Sequence, residues 1–282
     1  MQKRWRYIIY SLILISYYSW ILVSPAIFSK STIKNNREIT VTGHRGAAGY
    51  APENTMASVQ KALDLGVDRI EIDIHQSKDS VVVVLHDESV DRTTNGEGII
   101  ADMSYDEIRR LDAGIFFSKE FEGEKIPSLE EVIILVNGRC DLVIEFKNGN
   151  DHYPRIEEHV IELLNKYDAL DWCIVHSFNT AVLVRLHKKI PTLRLHKLFI
   201  VQFRFTPIYY DLSFENFDPK DHPYIEEYSI YEYFGNREII SRLQTLGKKV
   251  NIWTLNDPEK INAYKDLGID GIITDYPDLI RQ

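Results

Sequence analysis

Short apolar segments rich in β-branched residues alternate with amphipathic helical segments along most of this 282-residue chain. A strand, a helix and a second strand make a parallel pair, because the helix returns the chain to the same edge of the sheet. Eight parallel strands are expected, at 39–43, 69–74, 142–147, 173–177, 192–198, 224–230, 250–255 and 271–274. Since eight such units close into a barrel, the sequence predicts an α/β fold of the TIM (β/α)8 class over residues 39–282.

A ninth segment, Val81–His86, follows the second strand too closely for a parallel crossover. The short connection is instead typical of a β-hairpin. With the turn centred on Lys78 and Asp79, His86 would lie opposite Glu71. We therefore expect an extra antiparallel strand that brings a histidine beside a carboxylate.

Two longer excursions interrupt the alternation. Residues 91–129 contain a helix-start signal at Ser104–Glu107 and are expected to form a small inserted cap that shapes a pocket. Residues 199–234 are rich in aromatic side chains. They either pack over the end of the barrel or form a hydrophobic rim that accepts a lipid tail or leans on the bilayer.

The first 29 residues indicate a membrane segment. A basic flank at residues 3–6 precedes the apolar run Tyr7–Val23, which is long enough for a transmembrane helix. The flank predicts a cytoplasmic N-terminus, a single membrane pass, a linker over residues 30–38 and a folded domain outside the cytoplasm. Small residues at Ser24–Ala26 leave open the alternative of a protein secreted after signal cleavage.

Charge and cysteine content exclude two classes of function. The formal net charge of −9 argues against nucleic acid as a partner, because nucleic acid is bound through clustered Lys and Arg. Cys140 and Cys173 lack the spacing of a zinc-thiolate site. We expect buried free thiols, with a disulfide as the alternative in an oxidising compartment. No feature indicates a protein partner.

Polar side chains recur where the predicted strands end. The carboxyl ends of barrel strands meet at one face, where active sites of this fold are built. The side chains expected there are those of His44, Arg45, Glu71, Asp73, Glu145, Lys147, His176, Trp253 and Asp275. We therefore predict one shared site.

Three of these residues have the chemistry of a metal site. Glu71 and Asp73 are two positions apart on one strand and share a face, as do Glu145 and Lys147. Inward-facing carboxylates are costly unless they are compensated, and a hard divalent cation compensates three of them well. Oxygen donors favour Mg²⁺ or Ca²⁺ over Zn²⁺, and calcium suits a domain outside the cytoplasm. We predict that Glu71, Asp73 and Glu145 bind one divalent cation, Ca²⁺ or Mg²⁺.

His44 and His86 are the candidates for general acid and general base, because imidazole gains or loses a proton near neutral pH. Arg45 and Lys147 can bind the two non-bridging oxygens of a phosphoryl group. A cation, two imidazoles and two fixed positive charges are what a metal-assisted phosphodiesterase needs.

Two further residues have two possible roles. Asn54 lies in a turn before the next helix, where it either supports the turn or contacts the substrate. Trp253 either forms an apolar wall for a small polyol or packs in the core.

The chain carries a set of short motifs in order: His44–Gly46, Pro52–Thr55, Glu71–Asp73, His86–Asp87, Asp91–Gly96, Pro127–Glu131, Glu145–Lys147, His176–Phe178, Trp253–Asp257 and Gly271–Pro277. Together they resemble the glycerophosphodiester phosphodiesterase family from about Thr40 to the C-terminus. The resemblance implies a TIM barrel, a cation held by the three carboxylates and acid/base roles for the two histidines.

The resemblance also implies hydrolysis of glycerophosphodiesters to glycerol 3-phosphate and an alcohol. A glycerol hydroxyl would attack phosphorus first, and water would open the resulting cyclic phosphate. The order in which the histidines act and the preferred alcohol stay open; head-group diesters, lysophospholipids and wall polymers of glycerol phosphate are candidates. A phosphoinositide-cleaving phospholipase would share the barrel and the histidines, although Glu145–Lys147 and Gly271–Asp275 favour the first interpretation. A third possibility is a catalytically inactive, membrane-tethered binding module.

Overall fold

The computed structural model describes residues 38–199, 201–202, 209–210 and 216–281. The predicted membrane segment and nearly all of the predicted linker lie outside these ranges. None of the helices in the described ranges combines the length and apolar character that crossing a bilayer demands.

Eight parallel strands close into a barrel, as the alternation predicts. In chain order, the described strands are β1 (Thr40–Gly43), β2 (Arg69–Gln76), β3 (Val82–Val84), β4 (Asp141–Phe146), β5 (Cys173–Ser177), β6 (Arg194–Phe199), β7 (Val201–Gln202), β8 (Tyr209–Tyr210), β9 (Asn216–Phe217), β10 (Ile225–Tyr231), β11 (Lys249–Trp253) and β12 (Gly271–Thr274). Hydrogen-bonded neighbours in the barrel follow the order β1-β12-β11-β10-β6-β5-β4-β2, and β2 pairs again with β1.

Helices surround the barrel and bury one face each. In the helix Ile156–Lys166 the buried residues Ile156, Val160 and Leu164 recur every four positions, which places them on one stripe against the sheet. The Thr55 hydroxyl caps the helix Met56–Asp64, so the turn predicted before this helix is confirmed there. The α-helices of the described chain are α1 (Met56–Asp64), α2 (Tyr105–Arg110), α3 (Leu129–Val136), α4 (Ile156–Lys166), α5 (Thr180–Lys189), α6 (Arg237–Thr245) and α7 (Pro258–Asp266).

The extra strand β3 pairs antiparallel with β2, but the predicted register is wrong by one residue. Ile74 pairs with Val84, and the connecting loop has three residues instead of two. The loop ends at Ser80, whose φ of 69° lies in the left-handed region, and the Ser77 hydroxyl accepts a hydrogen bond from Val81 N–H. Because the strand ends at Val84, His86 lies beyond the paired segment and not opposite Glu71.

Both excursions have structure of their own. The cap contains α2 and contributes most of an apolar cluster separate from the barrel core: Val83, Leu85, Val90, Ile100, Ile108, Ala113 and Ile126. Strands β7, β8 and β9 form a small antiparallel sheet in the second excursion. Phe199, Phe217 and Tyr228 belong to the barrel core, which agrees with local packing for these three residues. Much of the remaining aromatic stretch lies outside the described ranges.

Both cysteines are free. Cys173 is buried, as expected, and Cys140 is partly buried. The free thiols agree with the expectation from the sequence, and the disulfide alternative is not realised in this structure.

Candidate active site

The three predicted metal ligands come together at the carboxyl end of the barrel. Asp73 in β2 is the register partner of Glu145 in the neighbouring strand β4, and Glu71 lies two residues before Asp73. One oxygen atom from each carboxylate lies within 4.8 Å of the others. Because the side-chain period of a strand is two, register alone directs all three side chains into the barrel.

This cluster has more negative charge than its surroundings neutralise. Burial and the neighbouring carboxylates raise the pKa of Glu71 well above its ordinary value, and burial raises the pKa of Glu145 to about 7. Burial also opposes ionisation of Asp73, yet Lys147 and Arg45 keep the pKa of that carboxyl below its ordinary range. One oxygen of Glu71, Oε1, is buried and has no hydrogen-bond partner among the described residues. A buried carboxylate oxygen that lacks a hydrogen-bond donor and lies beside two more carboxylates is a suitable ligand for a hard divalent cation.

Two positively charged side chains lie against the carboxylates. Lys147 Nζ is 2.7 Å from both Asp73 Oδ1 and Glu145 Oε1. Arg45 Nε is 3.5 Å from Asp73 Oδ2, while Arg45 Nη1 donates to Glu53 at 2.7 Å. Both side chains line the same cavity as the cluster. Their predicted contact with phosphate stays a prediction.

The turn after β1 brings the Arg45 backbone onto the cluster. Arg45 has a φ of 50°, in the left-handed region, and its N–H donates to Glu71 Oε2 at 2.9 Å. Gly46 follows with a φ of 89°, and a Cβ atom there would lie 2.3 Å from Ser58 Oγ. The His-Arg-Gly motif therefore needs its glycine for close approach to α1.

Asn54 supports the cluster and is not among the residues that line the cavity, which favours a supporting role over contact with the substrate. Its side chain is 1% exposed, donates to Asp73 Oδ2 at 2.7 Å and accepts from Asp73 N–H at 3.1 Å. The amide fixes the Asp73 backbone and carboxylate together. Asn54 has a φ of 59°, a conformation that asparagine tolerates better than most residues.

The two predicted acid/base residues are each oriented by a carboxylate. His44 Nδ1 is 2.7 Å from Asp275 Oδ1, and His86 Nδ1 is 2.6 Å from Asp87 Oδ1. A carboxylate accepts only, so each Nδ1 carries the proton and leaves Nε2 free for exchange. Asn256 holds Asp275 in turn through a donated hydrogen bond at 2.5 Å. Both imidazoles line the cavity.

The backbone of His86 is held by a second histidine. His75 Nε2 lies 3.0 Å from the His86 carbonyl oxygen, and Tyr153 holds the other ring nitrogen of His75 at 2.8 Å. Burial, assisted by Lys147 and Arg45, lowers the pKa of His86 below its ordinary value. The imidazole is therefore neutral near pH 7.

Arg92, from the cap, connects the Asp87 carboxylate, beside His86, with the Glu53 carboxylate, beside Arg45. It donates to Asp87 at 2.6 Å and to both oxygens of Glu53, at 2.7 and 3.0 Å. Glu53 in turn accepts from Arg45. Arg92, Glu53 and Asn256 were not among the predicted site residues, although each lies inside one of the sequence motifs.

A cavity of about 560 Å³ joins these groups. Its polar wall carries the two acid/base histidines, Arg45, Lys147 and the Glu71 and Glu145 carboxylates. Its apolar wall is formed by Phe178, Leu198, Trp253 and Ile273. The ring centroid of Trp253 lies 5.7 Å from that of Phe178 and 5.0 Å from that of Tyr231. Trp253 therefore both lines the cavity and packs against neighbouring aromatic rings. None of the lining residues comes from the cap, so the cap reaches the site only through contacts such as Arg92, contrary to the expectation that it shapes the pocket.

Comparison with known proteins gives one consistent result. Residues 44–279 match the model of the glycerophosphoryl diester phosphodiesterase family. A glycerophosphodiester phosphodiesterase of Caldanaerobacter subterraneus is 38% identical over 246 residues, which cover 85% of this chain and 95% of the relative. A human protein named lysophospholipase D is 27% identical, covering 84% of this chain and 83% of its own.

Among solved structures, an Oleispira antarctica phosphodiesterase in complex with the product sn-glycerol-3-phosphate superimposes with a TM-score of 0.76. It is 27% identical, and the match covers 86% of this chain and 95% of that one. The chain belongs to the glycerophosphoryl diester phosphodiesterase family and is an enzyme of that class.

Proposed function

We propose that this enzyme hydrolyses glycerophosphodiesters to glycerol 3-phosphate and an alcohol, with His44 and His86 as general acid and base. The observation that carries the proposal is the meeting of two carboxylate-oriented imidazoles and a three-carboxylate cluster in one cavity. The activity printed for the relatives and the product bound to the Oleispira enzyme support it.

Glu71, Asp73 and Glu145 would hold one divalent cation, Ca²⁺ or Mg²⁺. Their all-oxygen donor set and the unpaired Glu71 Oε1 fit such an ion. When bound, the ion supplies positive charge to the phosphoryl oxygens. Arg45 and Lys147 share this task, because they lie against the same carboxylates and line the same cavity.

The proton transfers fall to the two imidazoles. In the first step one histidine takes the proton of a glycerol hydroxyl as its oxygen bonds to phosphorus, and the other gives a proton to the departing alcohol as its P–O bond breaks. In the second step water opens the cyclic phosphate, and each histidine performs the reverse transfer. Asp275 and Asp87 keep each Nδ1–H in place, so that both transfers use Nε2.

For localisation, we propose that residues 1–29 anchor the enzyme with its barrel outside the cytoplasm, or are removed to release it. The described chain enters the barrel at the start of β1, whereas the site lies at the carboxyl ends of the strands.

The decisive experiment uses the full-length chain, purified in mild detergent. We expect glycerol 3-phosphate from glycerophosphocholine in the presence of Mg²⁺ or Ca²⁺, and little after treatment with chelator. A lysophosphatidylcholine arm tests the lipid alternative that the human relative's name suggests. The His44→Gln variant controls for contaminating activity. Absence of glycerol 3-phosphate with either ion would contradict the proposal.

A further inference from the structure

His176, at the carboxyl end of β5, is a buried histidine for which the proposed proton transfers have no use. It is the register partner of Glu145 and therefore points into the barrel beside the carboxylate cluster. The side chain is 1% exposed, and it lines the cavity together with the two acid/base histidines.

Neither ring nitrogen of His176 has a hydrogen-bond partner among the described residues. The ring of His196 packs against it edge-on, with the centroids 6.1 Å apart, and supplies no hydrogen bond. A buried polar group that lacks a partner is costly, so such a group in a binding cavity marks the place of a ligand atom.

The chemistry of the ring restricts that ligand atom. No carboxylate in the described part of the chain hydrogen-bonds this buried ring, so the imidazole is neutral and offers one donor and one acceptor. A phosphoryl oxygen only accepts and an ammonium group only donates, whereas a hydroxyl does both. His176 therefore matches an alcohol hydroxyl best.

The surroundings favour the glycerol end of the substrate. Beside the carboxylates, their two positively charged neighbours and the two acid/base histidines, the cavity is lined by Asn148 and Asn179, which are partly buried, and Asp151, which is exposed, whereas His176 is fully buried. Leu198 and Ile273, from the strands on either side of the barrel, add apolar surface. A short carbon chain that ends in a hydroxyl fits this deep part, and a leaving group of variable size fits the open part.

We infer that His176 hydrogen-bonds the terminal hydroxyl of the glycerol moiety and so selects glycerol diesters over diesters of shorter or deoxygenated alcohols. This inference rests on the proposed function. It makes His176 a specificity-determining residue, distinct from the two histidines that transfer protons.

The test pairs two substrates with two variants of the full-length enzyme. Glycerophosphocholine is compared with the phosphocholine diester of propane-1,2-diol, which keeps the hydroxyl next to the phosphate ester and lacks the terminal one. We expect the wild type to prefer glycerophosphocholine by about tenfold or more in kcat/KM, because the deoxy substrate leaves the imidazole unpaired. His176→Leu should reduce activity on glycerophosphocholine by a similar factor and leave the deoxy substrate nearly unaffected.

His176→Gln keeps a donor and an acceptor and should retain part of the preference, and it serves as the folded comparison if the leucine variant does not fold. Equal kcat/KM for the two substrates in the wild type would overturn the inference and leave the proposed function standing. A His176→Leu variant that loses activity equally on both substrates would also overturn it, since that is the result of a merely structural role. Hydrolysis of neither substrate by the wild type would overturn the proposed function, and the inference with it.

Discussion

The two histidine–carboxylate pairs perform the same local task with different supports. His44 and Asp275 are 231 positions apart and meet because β1 pairs with β12 when the barrel closes. His86 and Asp87 are neighbours in sequence, and they lie beyond the short strand β3. The first pair is part of the barrel rim, whereas the second depends on contacts from outside the barrel.

The residue that holds the carboxylate differs in charge between the two pairs. Asn256, a neutral amide, holds Asp275 and adds no positive charge to it. Arg92, a cation from the cap, holds Asp87 and offsets part of its charge. Its hydrogen bond is the main cause that lowers the pKa of Asp87 to about 2. The cap therefore directly contacts the carboxylate partner of His86, through Arg92, whereas the carboxylate partner of His44 is held by Asn256 from the barrel.

The largest effect should follow removal of either imidazole. We expect His44→Ala and His86→Ala each to lower kcat by about 10³-fold, because each removes a general acid or base from both steps. Steady-state release of glycerol 3-phosphate measures this effect, with thermal unfolding to verify the fold. A variant of either histidine that keeps near wild-type kcat would remove that residue from the mechanism.

A smaller effect should follow loss of the orienting charge. Asp275→Asn and Asp87→Asn each replace a charged hydrogen-bond acceptor by a neutral amide, and we expect kcat to fall about 10- to 100-fold, the range that corresponds to a hydrogen bond to a charged group. Because Asp275 is held by a neutral amide and Asp87 by a guanidinium, the Asp275 variant should be the more damaging of the two. Equal losses would show that the support from Arg92 does not matter.

Arg92→Gln should reduce kcat only two- to fivefold or so, because its side chain is 46% exposed and water screens its ion pairs. The matched control is Arg109→Gln, which removes a cap guanidinium that is paired with Glu131 instead of with the site. We expect kcat of the control variant to equal that of the wild type. A similar loss in both variants would point to the cap's stability instead of its contact with Asp87.

The smallest effect is on pH dependence. Without Arg92, the whole charge of Asp87 acts on His86, favours the protonated ring and raises the pKa of His86 from its lowered value. Each histidine is the base in one of the two steps, so the step in which His86 accepts a proton is then lost at a higher pH as the solution is acidified, by less than about one pH unit. A pH profile of kcat measures this shift, and a shift toward lower pH would contradict the account.

Local pattern was enough to predict the barrel and the carboxylate cluster, because strand periodicity and parallel register place Glu71, Asp73 and Glu145 on one inner face. The hairpin register was missed because a Ser77 hydroxyl hydrogen bond stabilises a three-residue loop. The support by Asn54 and Arg92 was missed for another reason. Both act through tertiary contacts, with Asp73 and with Glu53, that no spacing in the sequence encodes.

The most direct test of the metal site is a calorimetric titration of Mg²⁺ and Ca²⁺ into chelator-treated full-length enzyme at pH 6 and pH 8, with activity followed in parallel. In the metal-free protein the pKa of Glu71 is raised and that of Glu145 is about 7, so a cation must displace protons at pH 6. We predict one ion per chain, tighter binding at pH 8, and activity that returns over the same concentration range. Full activity in chelator, with no heat of binding at millimolar ion, would contradict the account.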